Sequence, residues 1–254
     1  MSIAMSTEDL ADLIRIETPV ITANQNLNKA KIACRPGPAY PIRADRGPTV
    51  SSVGSVEVVF EDLESRLADL IRQHQAVVGC MAWLTGEKVL RTLASRKVVS
   101  VIINKEDFLR PDQGTWSQQQ TKRLYSAIPS FHPMWDIGPA YNWNSGITAA
   151  GIRCAGVRID GQNSRMTPRM HHKFFVFCDH DPESNDPGGW VPKAVWTGSY
   201  NATFNASRSL ENAVIITDPV IARAYFEEWG AVLGISEPLE WTSPYVTPDY
   251  RLGA

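Results

Sequence analysis

The sequence predicts an α/β fold in which helices cover both faces of a central sheet. Segments with the pattern of strands alternate with amphipathic helical segments from residue 55 to residue 104, an order that is typical of an α/β sheet. Continuous apolar runs such as residues 76–82 indicate strands that are buried on both faces. A chain of 254 residues with 43% hydrophobic content can bury one core and a small appendage.

The elements are predicted from the spacing of the apolar residues. Strands are expected at residues 56–60, 76–85, 97–104, 151–160, 169–177, 194–197 and 212–217. Amphipathic helices are expected at residues 61–74, 86–96 and 221–234. The first of these helices is expected to bury Leu63, Leu67, Leu70 and Ile71. Together the elements form one predicted domain, residues 55–236, which is followed by a C-terminal tail, residues 237–254.

The first 54 residues have a different character. Residues 7–16 are expected to form a short helix capped by Thr7, whereas residues 18–54 are irregular. Residues 34–49 are rich in Pro, Gly and Arg, which is typical of an extended arm. A plain surface arm is the simpler expectation, and contact of its basic residues with a partner protein or nucleic acid is the alternative.

Residues 105–150 interrupt the regular alternation with aromatic side chains set among polar ones. These aromatic residues are Trp116, Tyr125, Phe131, Trp135, Tyr141 and Trp143. They are expected either to pack this insertion onto the domain or onto a dimer partner, or to stack on unpaired bases and form a rim over a site.

A polar pair at the start of an apolar strand is the first candidate site. In RMHHKFFVF, residues 169–177, side chains alternate between the two faces of the strand, so His171 and Lys173 share one face and His172 lies on the other. The residues that follow are apolar on both faces, which indicates that the polar pair lies near an open end of the sheet. Solvated side chains at the mouth of a buried strand are the alternative interpretation.

A second polar cluster lies between two later strands. Gly198 permits close backbone approach, and Ser199 and Asn201 carry hydrogen-bond donors. Glu211 is a carboxylate directly ahead of the next strand. Each residue alone is compatible with an ordinary turn or a solvated strand end, but together they suit a phosphate group.

In this order the residues resemble the signature of the phospholipase D superfamily, which is H-x-K, an Asp, G-S-x-N and a Glu before a strand. The chain has His171 and Lys173, then Asp179, then residues 198–201, then Glu211. Five residues, instead of the usual four, separate Lys173 from Asp179. Residues 180–192 are predicted to be a surface loop inserted at the rim of the site. The resemblance implies a phospholipase D-like mixed sheet flanked by helices on both faces, with one HKD motif per chain.

The resemblance also implies a metal-independent phosphodiesterase that acts through a phosphohistidine. The implied catalytic residues are His171, Lys173, Asp179, Ser199, Asn201 and Glu211, and Gly198 and Arg169 are the expected substrate-binding residues. His171 would attack phosphorus, Glu211 would orient His171, and the hydrogen-bond donors with Lys173 would stabilise the charge of the transition state. No metal or other cofactor is required in this scheme.

The scheme needs two histidines, one that attacks and one that protonates the leaving oxygen. The chain has one copy of the motif, so the resemblance implies a homodimer with a composite active site at a two-fold interface. The basic residues around the motif favour nucleic acid as the substrate, and they are Arg153, Arg158, Arg165, Arg169, Lys122 and Arg123. An endonuclease that cleaves DNA or RNA is therefore expected. A lipid phosphodiesterase and a non-catalytic assembly module are the alternatives.

Composition restricts the remaining classes. The net charge of −2 argues against a strongly binding nuclease and favours either positive charge confined to one region or a partner that delivers the substrate. The four cysteines have no CxxC spacing and are expected to be buried free thiols. The first residues lack the pattern of a signal peptide and no apolar run reaches the length of a membrane span, so a cytoplasmic enzyme without membrane contact is expected.

Overall fold

A computed structural model describes residues 31–32, 40–41, 56–60, 62–111, 113–131, 149–159, 167–209 and 211–248. Its strands are β1 (Lys31–Ile32), β2 (Tyr40–Pro41), β3 (Val56–Val59), β4 (Ala76–Met81), β5 (Val98–Asn104), β6 (Ile152–Ala155), β7 (Lys173–His180), β8 (Trp190–Gly198) and β9 (Ala213–Ile216). Its helices are α1 (Leu63–Gln73), α2 (Glu87–Ala94), α3 (Trp116–Ser126) and α4 (Pro219–Leu233). The predicted helix at residues 7–16 and most of the N-terminal arm lie outside the described residues.

Seven strands form one mixed sheet in the order β3-β9-β8-β7-β4-β5-β6. β4, β5 and β6 run parallel to one another, since helical connections return the chain across one face between them. β7 lies antiparallel between β4 and β8, and β9 and β3 extend this antiparallel half. These strands confirm the α/β class and the mixed sheet that the sequence predicts.

The sheet separates two apolar layers. On one face, Phe175 and Phe177 pack with residues of α1, α2 and α3. On the opposite face, Phe174 and Val176 pack with residues of α4. Successive residues of β7 therefore enter different layers, which explains its continuous apolar sequence.

The predicted inward face of α1 is confirmed. Its buried apolar residues include Leu63, Leu67, Leu70 and Ile71. These residues recur at helical spacing, so the periodicity alone identified the face that packs on the sheet.

The described part of residues 105–150, up to Phe131, is more regular than the sequence predicts. It contains α3, whose first turn is held by a capping box between Thr115 and Gln118, a signal that is visible in the sequence as T-x-x-Q. Tyr125 is buried and its hydroxyl donates to the carbonyl of Leu84 at 2.6 Å, and Phe131 is also buried. The packing interpretation is confirmed for these two aromatic residues.

The other aromatic residues of this segment differ. Trp116 is 79% exposed at the start of α3. Trp135, Tyr141 and Trp143 lie outside the described residues.

The loop predicted at the rim of the site lies elsewhere. β7 continues to His180 and β8 already begins at Trp190, so only the residues between them form the turn. This turn follows the far end of β7, at the edge of the sheet opposite to His171. The loop was predicted near the site because it follows the motif closely in sequence. In the structure, the eight residues of β7 separate the turn from His171.

Residues 237–248 pack against the domain instead of forming a separate tail. Trp241 and Val246 are buried, and Glu237 forms an ion pair with Lys105 in which both side chains are almost fully buried. The ammonium of Lys105 also donates to the carbonyls of Ser243 and Tyr245, each at 2.9 Å. Burial raises the pKa of Glu237, and the hydrogen bond from Lys105 opposes that rise.

Two further observations complete the fold. Cys80, Cys154 and Cys178 are buried free thiols, as predicted, while Cys34 lies outside the described residues. None of the described helices is long and apolar enough to cross a membrane.

The buried pair gives a stability prediction. Lys105→Met leaves the carboxylate of Glu237 buried without its cation and removes the anchor of the C-terminal segment, so the free energy of unfolding should fall by about 3–5 kcal/mol. The matched control is Arg66→Met, which breaks the exposed ion pair with Glu57 and should cost less than about 1 kcal/mol. Urea unfolding followed by circular dichroism measures both values. Equal losses in the two variants would contradict a stabilising role for the buried pair.

Candidate active site

The predicted site residues meet where several strands end at one edge of the sheet. Lys173 at the start of β7 pairs with Met81 at the end of β4. Gly198 at the end of β8 pairs with Ala213 at the start of β9. Because β7 runs antiparallel to both of its neighbours, its first residues lie beside the last residues of β4 and β8. We call this the catalytic edge, and it carries His171, Lys173, residues 198–201 and Glu211.

The two neighbouring histidines lie on opposite faces of the sheet, as strand alternation predicts. Both ring nitrogens of His171 lie 3.4 Å from Nζ of Lys173. The Nε2 atom of His172 lies 2.8 Å from a carboxylate oxygen of Glu228, a residue of α4 on the other face. His172 is therefore directed into a different environment from that of the His171 and Lys173 pair.

Trp83 contacts this pair and was missed by the sequence analysis. Its ring meets the ring of His171 edge to face, with 5.2 Å between centroids and 81° between planes. The ammonium of Lys173 lies 5.8 Å from the centre of the Trp83 ring. Trp83 belongs to the run 76–85 that was assigned to a buried strand, and its position just beyond the end of β4 is the signal that could have identified it.

Gly198 allows two strands to approach closely at the catalytic edge. A Cβ atom at this position would lie 2.3 Å from the carbonyl oxygen of Asn212, so any larger residue would force β8 and β9 apart. The amide of Ser199 donates to that same carbonyl at 3.1 Å. The turn after β8 is thus fixed to the start of β9.

Ser199 and Glu211 form one hydrogen-bonded unit. The hydroxyl of Ser199 donates to Glu211 and accepts from the amide of Asn212 at 3.1 Å. The hydrogen bond of the Glu211 carboxylate in the described structure is with Ser199, and not with His171 as the expected orienting role requires. Lys173 and Trp83 are the side chains that contact the imidazole instead.

Asn201 and Arg169 complete the catalytic edge. The side-chain oxygen of Asn201 is buried and has no hydrogen-bond partner among the described residues. Arg169 forms an isolated bridge with Gly156 and lies close enough to His171 to affect its charge. Within the described part of the chain, no group of three or more His, Cys, Asp or Glu side chains has an arrangement that could hold a metal ion.

Asp179 is not brought to the catalytic edge. It lies six residues after Lys173 on β7, about 20 Å away at the rise of an extended strand. Its carboxylate lies 3.0 Å from Nδ1 of His74 and accepts from the amide of Gln75 at 3.2 Å. This placement corrects the expected catalytic role: Asp179 ties β7 to the end of α1, and the spacing in the motif does not bring it near His171.

The basic residues that were expected to contact nucleic acid divide into two groups. Arg153 is buried and donates to Ser236, and Arg158 forms two hydrogen bonds with the carboxylate of Asp107, so both have structural partners. Lys122 binds backbone carbonyls beside the start of α3, and Arg123 on the same helix faces outward. Arg165 lies outside the described residues.

One relative in a comparison with known proteins identifies the family. The chain is 32% identical over 204 residues to the uncharacterized protein L381 of Acanthamoeba polyphaga mimivirus, which covers 76% of this chain and 70% of that protein. The chain belongs to the same family as protein L381. No family model matches the chain.

Solved structures with some similarity to the chain include the proteins NucT and Nuc. NucT from Helicobacter pylori has a TM-score of 0.46 and 15% identity, covering 70% of this chain and 95% of that chain. Nuc from Salmonella typhimurium, a phospholipase D family member, has a TM-score of 0.44 and 17% identity, covering 72% of this chain and 96% of that chain. Both TM-scores are below 0.5, so the function is inferred from the residues of the site.

The environment of the catalytic edge disfavours charge on His171. Partial burial is the largest cause that lowers the pKa of His171, and the nearby charges of Lys173, Arg169 and His172 lower it further. Burial also lowers the pKa of Lys173, while the carboxylate of Glu211 opposes that shift. The arrangement therefore favours a neutral imidazole next to a cation, which combines a nucleophile with a group that attracts an anion.

The pKa of His171 tests this electrostatic arrangement. Lys173→Met removes the adjacent cation but keeps an apolar stem, so the pKa of His171 should rise, and less of the neutral imidazole should be present near pH 6. An NMR titration of the histidine ring protons, with the His171 signal assigned from its loss in His171→Gln, measures the shift. The control is Lys97→Met, at the opposite edge of the sheet, which should leave the titration unchanged. An unchanged or lower pKa in Lys173→Met would contradict the proposed electrostatic coupling.

Proposed function

We propose that the protein is a phosphodiesterase that cleaves nucleic acid through a covalent phosphohistidine intermediate. The observation that carries this proposal is the convergence of His171 and Lys173 with the bonded pair Ser199 and Glu211 at one edge of the sheet. Those residues come from three segments that are distant in sequence, and they combine a nucleophile, a cation and a fixed carboxylate. This set matches the needs of displacement at phosphorus.

His171 acts as the nucleophile in this proposal. A neutral ring nitrogen forms a bond to phosphorus, the bond from phosphorus to the leaving oxygen breaks, and that oxygen takes a proton from a second imidazole, which enters the reaction protonated because the anionic phosphate favours its charged form. The same second imidazole then removes a proton from water, which attacks phosphorus and releases His171. The lowered pKa of His171 supports the first step, because it keeps the attacking nitrogen unprotonated.

Lys173 and Asn201 bind the nonbridging oxygens of the phosphate. The ammonium already lies against the nucleophile, at 3.4 Å from its ring nitrogens, so it is well placed to meet negative charge that develops at phosphorus. Glu211 favours the charged form of Lys173, and Ser199 holds Glu211 in place. Ser199 is thus a support for the carboxylate, and Arg169 adds positive charge near His171.

The second imidazole is proposed to come from a second copy of the chain. Among the described histidines, His172 is paired with Glu228 on the other face, and His74 and His180 lie at the opposite edge of the sheet. None of these three histidines lies where it could protonate the leaving oxygen of a phosphate that His171 attacks. A two-fold contact at the catalytic edge would bring two His171 side chains to one phosphate, as the single motif implies.

Nucleic acid is the proposed substrate because of the surface beside the catalytic edge. α3 follows the end of β5, which ends at this same edge, and the helix contains Lys122 and Arg123 but no acidic residue. Trp116 begins the helix with a side chain that is 79% exposed. A basic helix with one accessible indole suits a strand of phosphates with unpaired bases.

Cleavage in the presence of chelator tests the reaction. Single-stranded DNA should be cleaved in EDTA, since Lys173 and Asn201 meet the charge that a cation would otherwise neutralise. His171→Ala should lower the rate by on the order of 10³-fold or more, as expected for loss of a nucleophile. His172→Ala is the matched control and should retain a measurable fraction of the rate, because this histidine faces α4.

Three outcomes would contradict the proposal. Loss of cleavage on chelation with recovery on adding Mg²⁺ would require a different mechanism. Dependence on His172 instead of His171 would mean that the two faces are assigned incorrectly. Hydrolysis of phosphatidylcholine vesicles without cleavage of DNA or RNA would make a lipid the substrate.

Mixing wild-type and inactive chains tests the composite site. If each reaction needs one His171 from each chain, then only wild-type pairs are active after co-refolding with His171→Ala. The activity should fall roughly as the square of the wild-type fraction, as expected for groups that act as one unit. Analytical ultracentrifugation of the same samples reports the oligomeric state. A linear decline, or full activity from a monomer, would mean that the acid comes from the same chain, with His132, outside the described residues, as the first residue to test.

A further inference from the structure

Trp83 is fixed in place by both neighbouring strands. The amide of Ala82 donates to the carbonyl of His172 at 2.8 Å, and the carbonyl of Ala82 accepts from the amide of Asn104 at 3.1 Å. These bonds extend the pairing of β4 past its last residue, on the side of β7 and on the side of β5. The backbone that carries Trp83 is therefore held at the catalytic edge from two directions.

The side chain of Trp83 is held by Glu106. One carboxylate oxygen of Glu106 accepts from Nε1 of Trp83 at 3.0 Å and from the amide nitrogen of the Asn104 side chain at 2.6 Å. The backbone carbonyl of Glu106 accepts from Nε1 of Trp241 at 3.1 Å. Glu106 is thus tied through its side chain to the catalytic edge and through its main chain to the C-terminal segment.

The half-buried ring of Trp83 in turn limits the freedom of His171. The Trp83 ring meets one side of the imidazole edge to face, and the ammonium of Lys173 lies near both rings. A nucleophile reacts efficiently only when its nitrogen is aligned with the phosphorus atom. The contact of Glu211 is with Ser199, so the orienting role expected of that carboxylate is left to another group.

We propose that Trp83, held by Glu106, is the positioning residue that orients the imidazole of His171 for attack. Its ring also excludes water from the side of the imidazole that it contacts. This inference rests on the proposed function, in which His171 is the nucleophile. Trp83 acts through His171 and needs no contact with the substrate.

The electrostatics of the site agree with this role. Burial is the largest cause that lowers the pKa of His171, and the Trp83 ring is one of the groups that bury it. Lys173 and Arg169 are the cations that act on His171, the adjacent His172 acts from the other face of the sheet, and all three favour the neutral ring of His171. Glu106 lies behind the indole, and Glu211 acts on Lys173. Removing the indole admits water, so the pKa of His171 should rise towards its ordinary value.

Four single variants and one double variant separate positioning from a general effect on folding. Trp83→Ala should lower kcat by about 10–100-fold with little change in KM, because misplacement of a reacting group acts on the chemical step. The acid limb of its pH profile, and the pKa of His171 measured by NMR without substrate, should both move upward. Trp83→Phe keeps a ring but loses the hydrogen bond to Glu106 because the donor is removed. Glu106→Leu loses the same hydrogen bond because the acceptor is removed. Their double variant should be no more impaired than Glu106→Leu alone, whereas Glu106→Gln, which still accepts from the indole, should restore most of kcat.

The control is Trp190→Phe, which removes an indole at the opposite edge of the sheet and should leave both kcat and the His171 titration unchanged. Unfolding curves for every variant identify losses that come from stability alone. An unchanged His171 pKa with unchanged kcat in Trp83→Ala would overturn the positioning role while leaving the phosphodiesterase proposal intact. Additive losses in the double variant would show that Glu106 does not act through Trp83. If the wild-type protein cleaves no phosphodiester, the proposed function fails, and the NMR titration still decides whether Trp83 controls the environment of His171.

Discussion

The antiparallel insertion of β7 between β4 and β8 is the constraint on which the site depends. β7 is buried on both faces, so its pleat is fixed by packing on α4 on one side and on α1 and α2 on the other. A shift of one residue would exchange the two layers and move His171 to the face of α4. The antiparallel direction also brings the start of β7 beside the ends of both neighbours, where side chains can be polar without entering the core.

The catalytic edge shows how burial and charge act together. Lys173 is half-buried and His171 is exposed but lies against Trp83, and the partial loss of hydration disfavours the charged form of each side chain. For the imidazole the result favours nucleophilic attack, because an unprotonated nitrogen is needed. For the ammonium the same burial would weaken binding of an anion, and Glu211 opposes that effect. The carboxylate of Glu211, held by Ser199, therefore favours the charged form of Lys173 and makes no hydrogen bond with His171 among the described contacts.

The C-terminal segment supports this edge from behind. Lys105 directly precedes Glu106 and is anchored by Glu237 and by two carbonyls of the last described residues. Trp241 binds the carbonyl of Glu106. The C-terminal segment thus contacts Glu106, Glu106 binds Trp83, and Trp83 contacts His171. A buried ionic pair is costly to form, and at this position it fixes one arrangement of the chain that an apolar pair would define less strictly.

The sequence by itself determined the features that depend on near neighbours in the chain. The spacing of apolar residues predicted the buried face of α1 and the separation of His171 from His172, because helical and strand periodicity act over a few residues. Only the tertiary structure decided that Trp83 contacts His171, that Glu211 binds Ser199, and that Asp179 lies at the far edge. These outcomes depend on which distant strands pair and in which direction they run, and the periodicity of one strand carries no information about its neighbours.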